Sequence, residues 1–124
     1  MMPRPGLGGR NERPWREVRI PIDVGELQGL LGVPDGARSI VLFAHGAGSS
    51  RLSPRNQYVA SVLHEAGFAT LLFDLLLEAE EADRANVFDI PLLAGRLVEA
   101  TRWLESNPDT RGLDVGYFGA STGA

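Results

Sequence analysis

Ser39 to Gly48, SIVLFAHGAG, is the stretch that decides how this chain is read. Ser39 to Ala44 is a continuous apolar run rather than an alternating one. That pattern predicts a strand covered on both faces, as in a parallel sheet. His45-Gly46-Ala47-Gly48 follows directly, a turn of small residues at the strand's C-terminal end.

Working towards the N-terminus, Trp15 to Ile22 alternates apolar and polar side chains through Val18, Ile20 and Ile22, which suits a half-buried strand. Asp23 to Gly25 supplies a turn, Glu26 to Val33 a second strand, and Pro34-Asp35-Gly36 closes the pair. A hairpin is expected. Residues 1–14, rich in Pro, Gly and Arg, read as a flexible leader. They lack the apolar stretch of a secretory signal.

Towards the C-terminus, Ser53-Pro54 predicts a helix cap followed by proline in the first turn. Tyr58, Val59, Val62, Leu63 and Ala66 make its expected buried stripe, and Gly67 is placed to end it. Phe68 to Phe73 is a second apolar strand. The acidic stretch Leu75 to Asn86, with Glu78, Glu80, Glu81 and Asp83, reads as a solvated loop or helix face. Asp89 caps a second helix that tolerates Pro91 in its first turn. Its expected stripe is Ile90, Leu93, Ala94, Leu97, Thr101 and Leu104. Asn107-Pro108-Asp109 stops it, and Leu113 to Phe118 gives another strand. The fold class is therefore α/β: an N-terminal hairpin, then parallel strands joined by right-handed crossover helices. One domain spans residues 15–124.

Composition narrows the chemistry. The chain has 124 residues, 44% of them hydrophobic, and a net charge of −4, which suits one domain with a real core. The acidic balance argues against nucleic acid or an anionic membrane as partner. All 12 basic residues are Arg. Without Lys there is no Walker lysine, Schiff base or lysine general base. Without Cys there is no thiol nucleophile, disulfide scaffold or thiolate zinc site. With only His45 and His64, a metal centre would lean on carboxylates, so no metal or other cofactor is expected. The longest apolar run, Ala69 to Leu77, is broken by Asp74 and is too short to span a bilayer. A cytoplasmic location is expected.

Gly119-Ala120-Ser121-Thr122-Gly123 matches the sharp strand-to-helix turn that presents a nucleophilic serine. Such a turn strains the serine's backbone, and the flanking glycines let strand and helix approach. The pattern arises by chance about 0.1 times in a chain of this composition, so its placement after an apolar strand carries the weight. His45-Gly46-Ala47-Gly48 stands where hydrolases of this architecture build half of an oxyanion hole. One donor would be the N–H of Ala47, with Gly46 the neighbouring alternative, and the other that of Thr122. Each such donor lowers the barrier by roughly 3–4 kcal/mol.

On VLFAHGAGSS, SPRNQYVASVLHEAG, ATLLFD and GASTG, the chain from Trp15 to Ala124 resembles the N-terminal half of an α/β-hydrolase of the dienelactone-hydrolase-like branch. The resemblance implies an acyl or ester hydrolase with Ser121 as nucleophile and an ester, lactone or related small molecule as substrate. Dienelactone hydrolase itself uses a cysteine, so its substrate does not carry over. In the family, the acid and the catalytic histidine follow the elbow. Here Ala124 comes three residues after the serine, and a fragment inactive by itself is expected. His45 is expected to hold the oxyanion loop, His64 to be structural, and Asp74 to fix a loop. Trp15 and Trp103 are expected to be packing residues. Arg51 and Arg55, beside the first helix N-terminus, are candidate contacts for a substrate anion. The last strand, left as an open edge, invites self-association.

Two rival functions remain. One is a non-catalytic binding or interaction module derived from such a hydrolase. The other is a phosphate-binding α/β domain, weakened by the lack of Lys and of any GxxxxGK[ST] pattern.

Overall fold

In the computed structural model, residues 15–119 are described. Strands β1 (Arg16–Ile22) and β2 (Gly25–Gly32) pair antiparallel, with Ile22 opposite Gly25 across the tight turn. Strand β3 (Ser39–Ala44) begins and ends where the apolar run does. Helix α1 (Pro54–Glu65) starts at Ser53, whose side chain accepts the Asn56 N–H at 3.3 Å. It ends with Phe68 N–H on the Leu63 carbonyl and Gly67 N–H on that of His64, both 3.0 Å. This paired termination needs a left-handed residue, and Gly67 supplies it at φ +97°. Strand β4 (Ala69–Phe73) follows, then two single-turn helices, α2 (Glu78–Glu81) and α3 (Arg84–Val87). Helix α4 (Ile90–Ser106) is capped by Asp89, which accepts the Leu92 N–H at 3.1 Å. It leads to β5 (Asp114–Gly119).

The five strands form one sheet in the order β1-β2-β4-β3-β5. β2 meets β4 antiparallel, whereas β3 runs parallel to both β4 and β5. Strand alternation sends side chains to two layers. Ile40, Leu42, Leu71 and Phe73 face one layer with Ile20, Leu27 and Leu31 of the hairpin, covered by Leu93, Ala100 and Leu104 of α4. Phe43 and Leu72 face the other, covered by Ala60 of α1 with Val59 and Leu63 at its margin. Each fully buried large aliphatic side chain stabilises the fold by about 1.5–3 kcal/mol. Trp15 closes the second layer and donates its indole N–H to Thr70 Oγ1 at 2.8 Å, and Trp103 packs on the first. Both tryptophans are packing residues.

Three sequence expectations need correction. In α1 the inward line is Asn56, Val59, Ala60 and Leu63, while Tyr58 is 70% exposed and Val62 and Ala66 also face outward. The sheet demands a small residue at the crossing, and Ala60 rather than the larger side chains provides it. In α4 the buried line is Leu93, Arg96, Ala100 and Leu104, with Ile90 and Ala94 outside. In the acidic stretch, Glu80 is not solvated but turned onto buried Arg96. Among the described residues, β5 stands last in the strand order, with Tyr117 and Phe118 exposed. Among the described residues, no helix is long and apolar enough to cross a membrane.

Candidate active site

Adjacent parallel strands deliver their C-terminal loops to the same end of a sheet, where ligand sites of open α/β sheets form. Here Ala44 of β3 pairs with Gly119 of β5, each the last residue of its strand. The loop that begins at His45 therefore leaves the sheet beside the end of β5. Ser121, Thr122 and Gly123 lie outside the described residues.

The loop after β3 is held by its neighbours. His45 is 7% exposed, and its Nε2 accepts the Leu75 N–H at 3.0 Å. An imidazole nitrogen that accepts a backbone N–H carries no proton, so the proton sits on Nδ1 and is donated to the Gly46 carbonyl at 3.0 Å. With its accepting nitrogen engaged, His45 is a brace and not a free base. Asp74, one residue beyond β4, accepts the Arg51 backbone N–H at 2.7 Å and its guanidinium at 2.6 Å. Asp74 thus fixes the loop, as expected, and the Arg51 charge is taken up by that pair. Gly48 makes the bend at φ +76°, where a side chain would be strained. Among the described residues, the Ala47 N–H donates no hydrogen bond.

These bends wall a cavity of about 510 Å³, a size typical of small-molecule sites. His45, Gly46, Ala47 and Gly48 line one side. Leu75, Leu76, Val87, Phe88 and Leu93 form an apolar opposite side, with Glu81 and Arg84 at its exposed rim. Arg84 lies 5.5 Å from the Phe88 ring centre. Arg55, in the first turn of α1, is exposed and does not line this cavity. His64 is also absent from its lining and stacks obliquely near Trp15, ring centres 6.2 Å apart, in keeping with a structural role. Gly119 stands at the end of β5. Among the described residues no group of three or more His, Asp or Glu side chains is arranged to hold a metal ion.

Sequence reasoning missed the support of the apolar side. Arg96 of α4, 7% exposed, donates from Nη1 to the Leu75 carbonyl at 3.2 Å. Its two Nη atoms grip both Glu80 carboxylate oxygens at 2.8 and 2.7 Å. The guanidinium's hydrogen bonds hold the Glu80 carboxyl below its ordinary pKa, and Glu80 in turn raises that of Arg96. The signal was an arginine between Leu93 and Ala100 on an otherwise apolar helical line.

Known proteins share this geometry. No protein-family model matches the chain. Two Mycobacterium tuberculosis proteins, provisionally named phosphoribosyl transferases, are 60% identical over 113 residues, covering 90% of this chain but 26% of theirs. The crystal structure of a dienelactone hydrolase from Anabaena variabilis is 57% identical over 90% of this chain and 54% of its own, with a TM-score of 0.84. An α/β-hydrolase from a Penicillium species shares only the fold, with 19% identity, 86% and 37% coverage and a TM-score of 0.72. The chain thus spans about a quarter of the curated relatives' length and about half of the dienelactone hydrolase. Sheet order, braced glycine turn and these likenesses agree: the chain has a partial α/β-hydrolase fold and, over its described length, is similar to a dienelactone hydrolase.

Proposed function

We propose that the protein hydrolyses an ester, lactone or related acyl bond, with Ser121 as nucleophile. The observation that carries this reading is the pairing of Ala44 with Gly119. It starts the loop that carries Gly46 and Ala47 beside the end of β5, two residues before Ser121 in the sequence, which supports a site shared by the two. In this reading the Ala47 N–H, with Gly46 as its neighbour, and the Thr122 N–H bind the oxyanion. Ser121 attacks the acyl carbon, the carbonyl oxygen takes the negative charge, and collapse expels the alcohol to leave an acyl-serine that water cleaves. The proton relay is assigned to an acid and a histidine that follow the elbow in a longer chain or come from a partner. His45 is unsuited to it, because its accepting nitrogen is bound to Leu75 N–H. Without a relay, a serine and oxyanion hole retain only residual rate enhancement.

The phosphoribosyl transferase name of the mycobacterial relatives belongs to proteins three quarters of which this chain does not match.

The test uses the full-length protein. Wild type should hydrolyse p-nitrophenyl acetate and label with a fluorophosphonate at Ser121, and Ser121→Ala should lose both, with turnover down at least ~10³-fold. Ester turnover that survives the substitution overturns the assignment. A soluble protein that neither turns over nor labels favours a non-catalytic binding module.

A further inference from the structure

The apolar side of the cavity is a thin piece of chain. Glu81, Arg84 and Phe88 are exposed, and α2 and α3 have no buried residue of their own. A segment with so little burial does not fix its own shape. Leu75 and Leu76 are buried in the core with Leu77 and Val87 packed on it, and between those ends Glu80 holds the two short helices. Its Oε1 accepts the Leu77 N–H at 2.9 Å, its backbone carbonyl accepts Asn86 Nδ2 at 3.0 Å, and its carboxylate is clamped in fork geometry by Arg96. Arg96 also holds the Leu75 carbonyl, at the base of the same segment. Neither Glu80 nor Arg96 lines the cavity; both stand behind the wall.

We propose that Arg96, through Glu80 and the Leu75 carbonyl, is a positioning residue that sets the size of acyl group the cavity accepts. This role rests on the hydrolase reading. The wall it holds presents Leu75, Leu76, Val87 and Phe88, so the acyl group it faces is apolar. With α2 and α3 pinned, the position of this wall sets the length of chain that fits. With the pin removed, the wall moves outward, short chains lose contact and longer ones gain room. A planar fork that bonds a carboxylate at two points cannot be replaced by the single ammonium of lysine, so the role is specific to arginine.

The experiment compares p-nitrophenyl acetate, butyrate and octanoate on the full-length wild type and on Arg96→Met, Arg96→Lys and Glu80→Gln. Arg96→Met should raise KM for acetate about tenfold while kcat changes less than about threefold, and raise the octanoate-to-acetate ratio of kcat/KM at least tenfold. Arg96→Lys should recover part of the selectivity. Glu80→Gln, which keeps an acceptor for Leu77 N–H but loses the charge, should shift it the same way by a smaller factor. A ratio unchanged in folded variants overturns the proposal, because a merely structural role lowers stability without moving selectivity. Hydrogen exchange supplies a readout independent of turnover. In Glu80→Gln, amides of residues 75–89 should exchange at least tenfold faster while those of β3 stay protected, and no such difference also overturns it. If wild type cleaves no ester, the hydrolase reading fails by itself and the exchange data still judge the wall.

Discussion

The cavity's two sides are built on opposite plans. The glycine side, residues 45–51, is short and is tied at once to the end of the neighbouring strand, through His45 to Leu75 and Arg51 to Asp74. The apolar side, residues 75–88, is longer, wanders through two single-turn helices, and is secured from behind by one arginine sixteen positions after its glutamate. The glycine loop is fixed in place by polar bonds next to the sheet. The wall that offers apolar surface is packed on the core through Leu75, Leu76 and Val87, and its two short helices are tied down by the Glu80–Arg96 clamp. The first plan gives rigidity, and the second leaves room for adjustment.

The contrast can be broken most directly at Asp74. The Arg51–Asp74 pair is mostly buried, with side-chain exposures of 23% and 15%. Asp74→Ala strands two donors, the Arg51 backbone N–H and its guanidinium, and should cost about 2–3 kcal/mol of unfolding free energy in urea titration. A loss under about 0.5 kcal/mol would mean the glycine side is held by something else. His45→Leu comes next. It leaves the buried Leu75 N–H without an acceptor and should cost about 1–3 kcal/mol. His45→Gln can place an amide oxygen near the old Nε2 position and should recover part of that loss; equal losses would show that ring packing, not the hydrogen bond, is what matters.

The smallest effect sharpens the contrast through pH. Glu80 binds its proton more weakly in the folded protein than in the unfolded one, chiefly because Arg96 bonds its carboxylate. Acid therefore favours unfolding through this group. Its stabilisation is complete above the ordinary glutamate pKa of about 4.3 and disappears as pH falls through the lower, folded value. In Glu80→Gln the thermal midpoint should fall less between pH 6 and pH 3 than in wild type. Parallel curves would remove Arg96–Glu80 as the anchor of the apolar side.

The sequence was most legible where structure is made locally. The run Ser39 to Ala44, the Ser53 and Asp89 caps, and the Gly67 stop are short-range chemistry, and each element begins or ends there. Helix faces were harder. Tyr58 and Val62 look like core by type, yet α1 crosses the sheet on Ala60, a choice made by the neighbouring layer and not by hydrophobicity. The site divided the same way. The glycine turn could be named from four consecutive residues. The Glu80–Arg96 clamp joins residues that share no motif, and an acidic run read alone looks solvated.

The strand order also has a consequence in time. β2 and β3 follow one another in the chain, yet β4 lies between them in the sheet. Gly29 of β2 waits for Phe73 of β4 before its outer edge is paired. At roughly 5–20 residues per second, synthesis leaves the hairpin with an unpaired edge for about two to nine seconds. During that interval Leu27 and Leu31 have nothing to pack on from α4. The hairpin is thus the part of the nascent chain most in need of shelter: the arrival of β4 pairs its edge, and that of α4 covers its face.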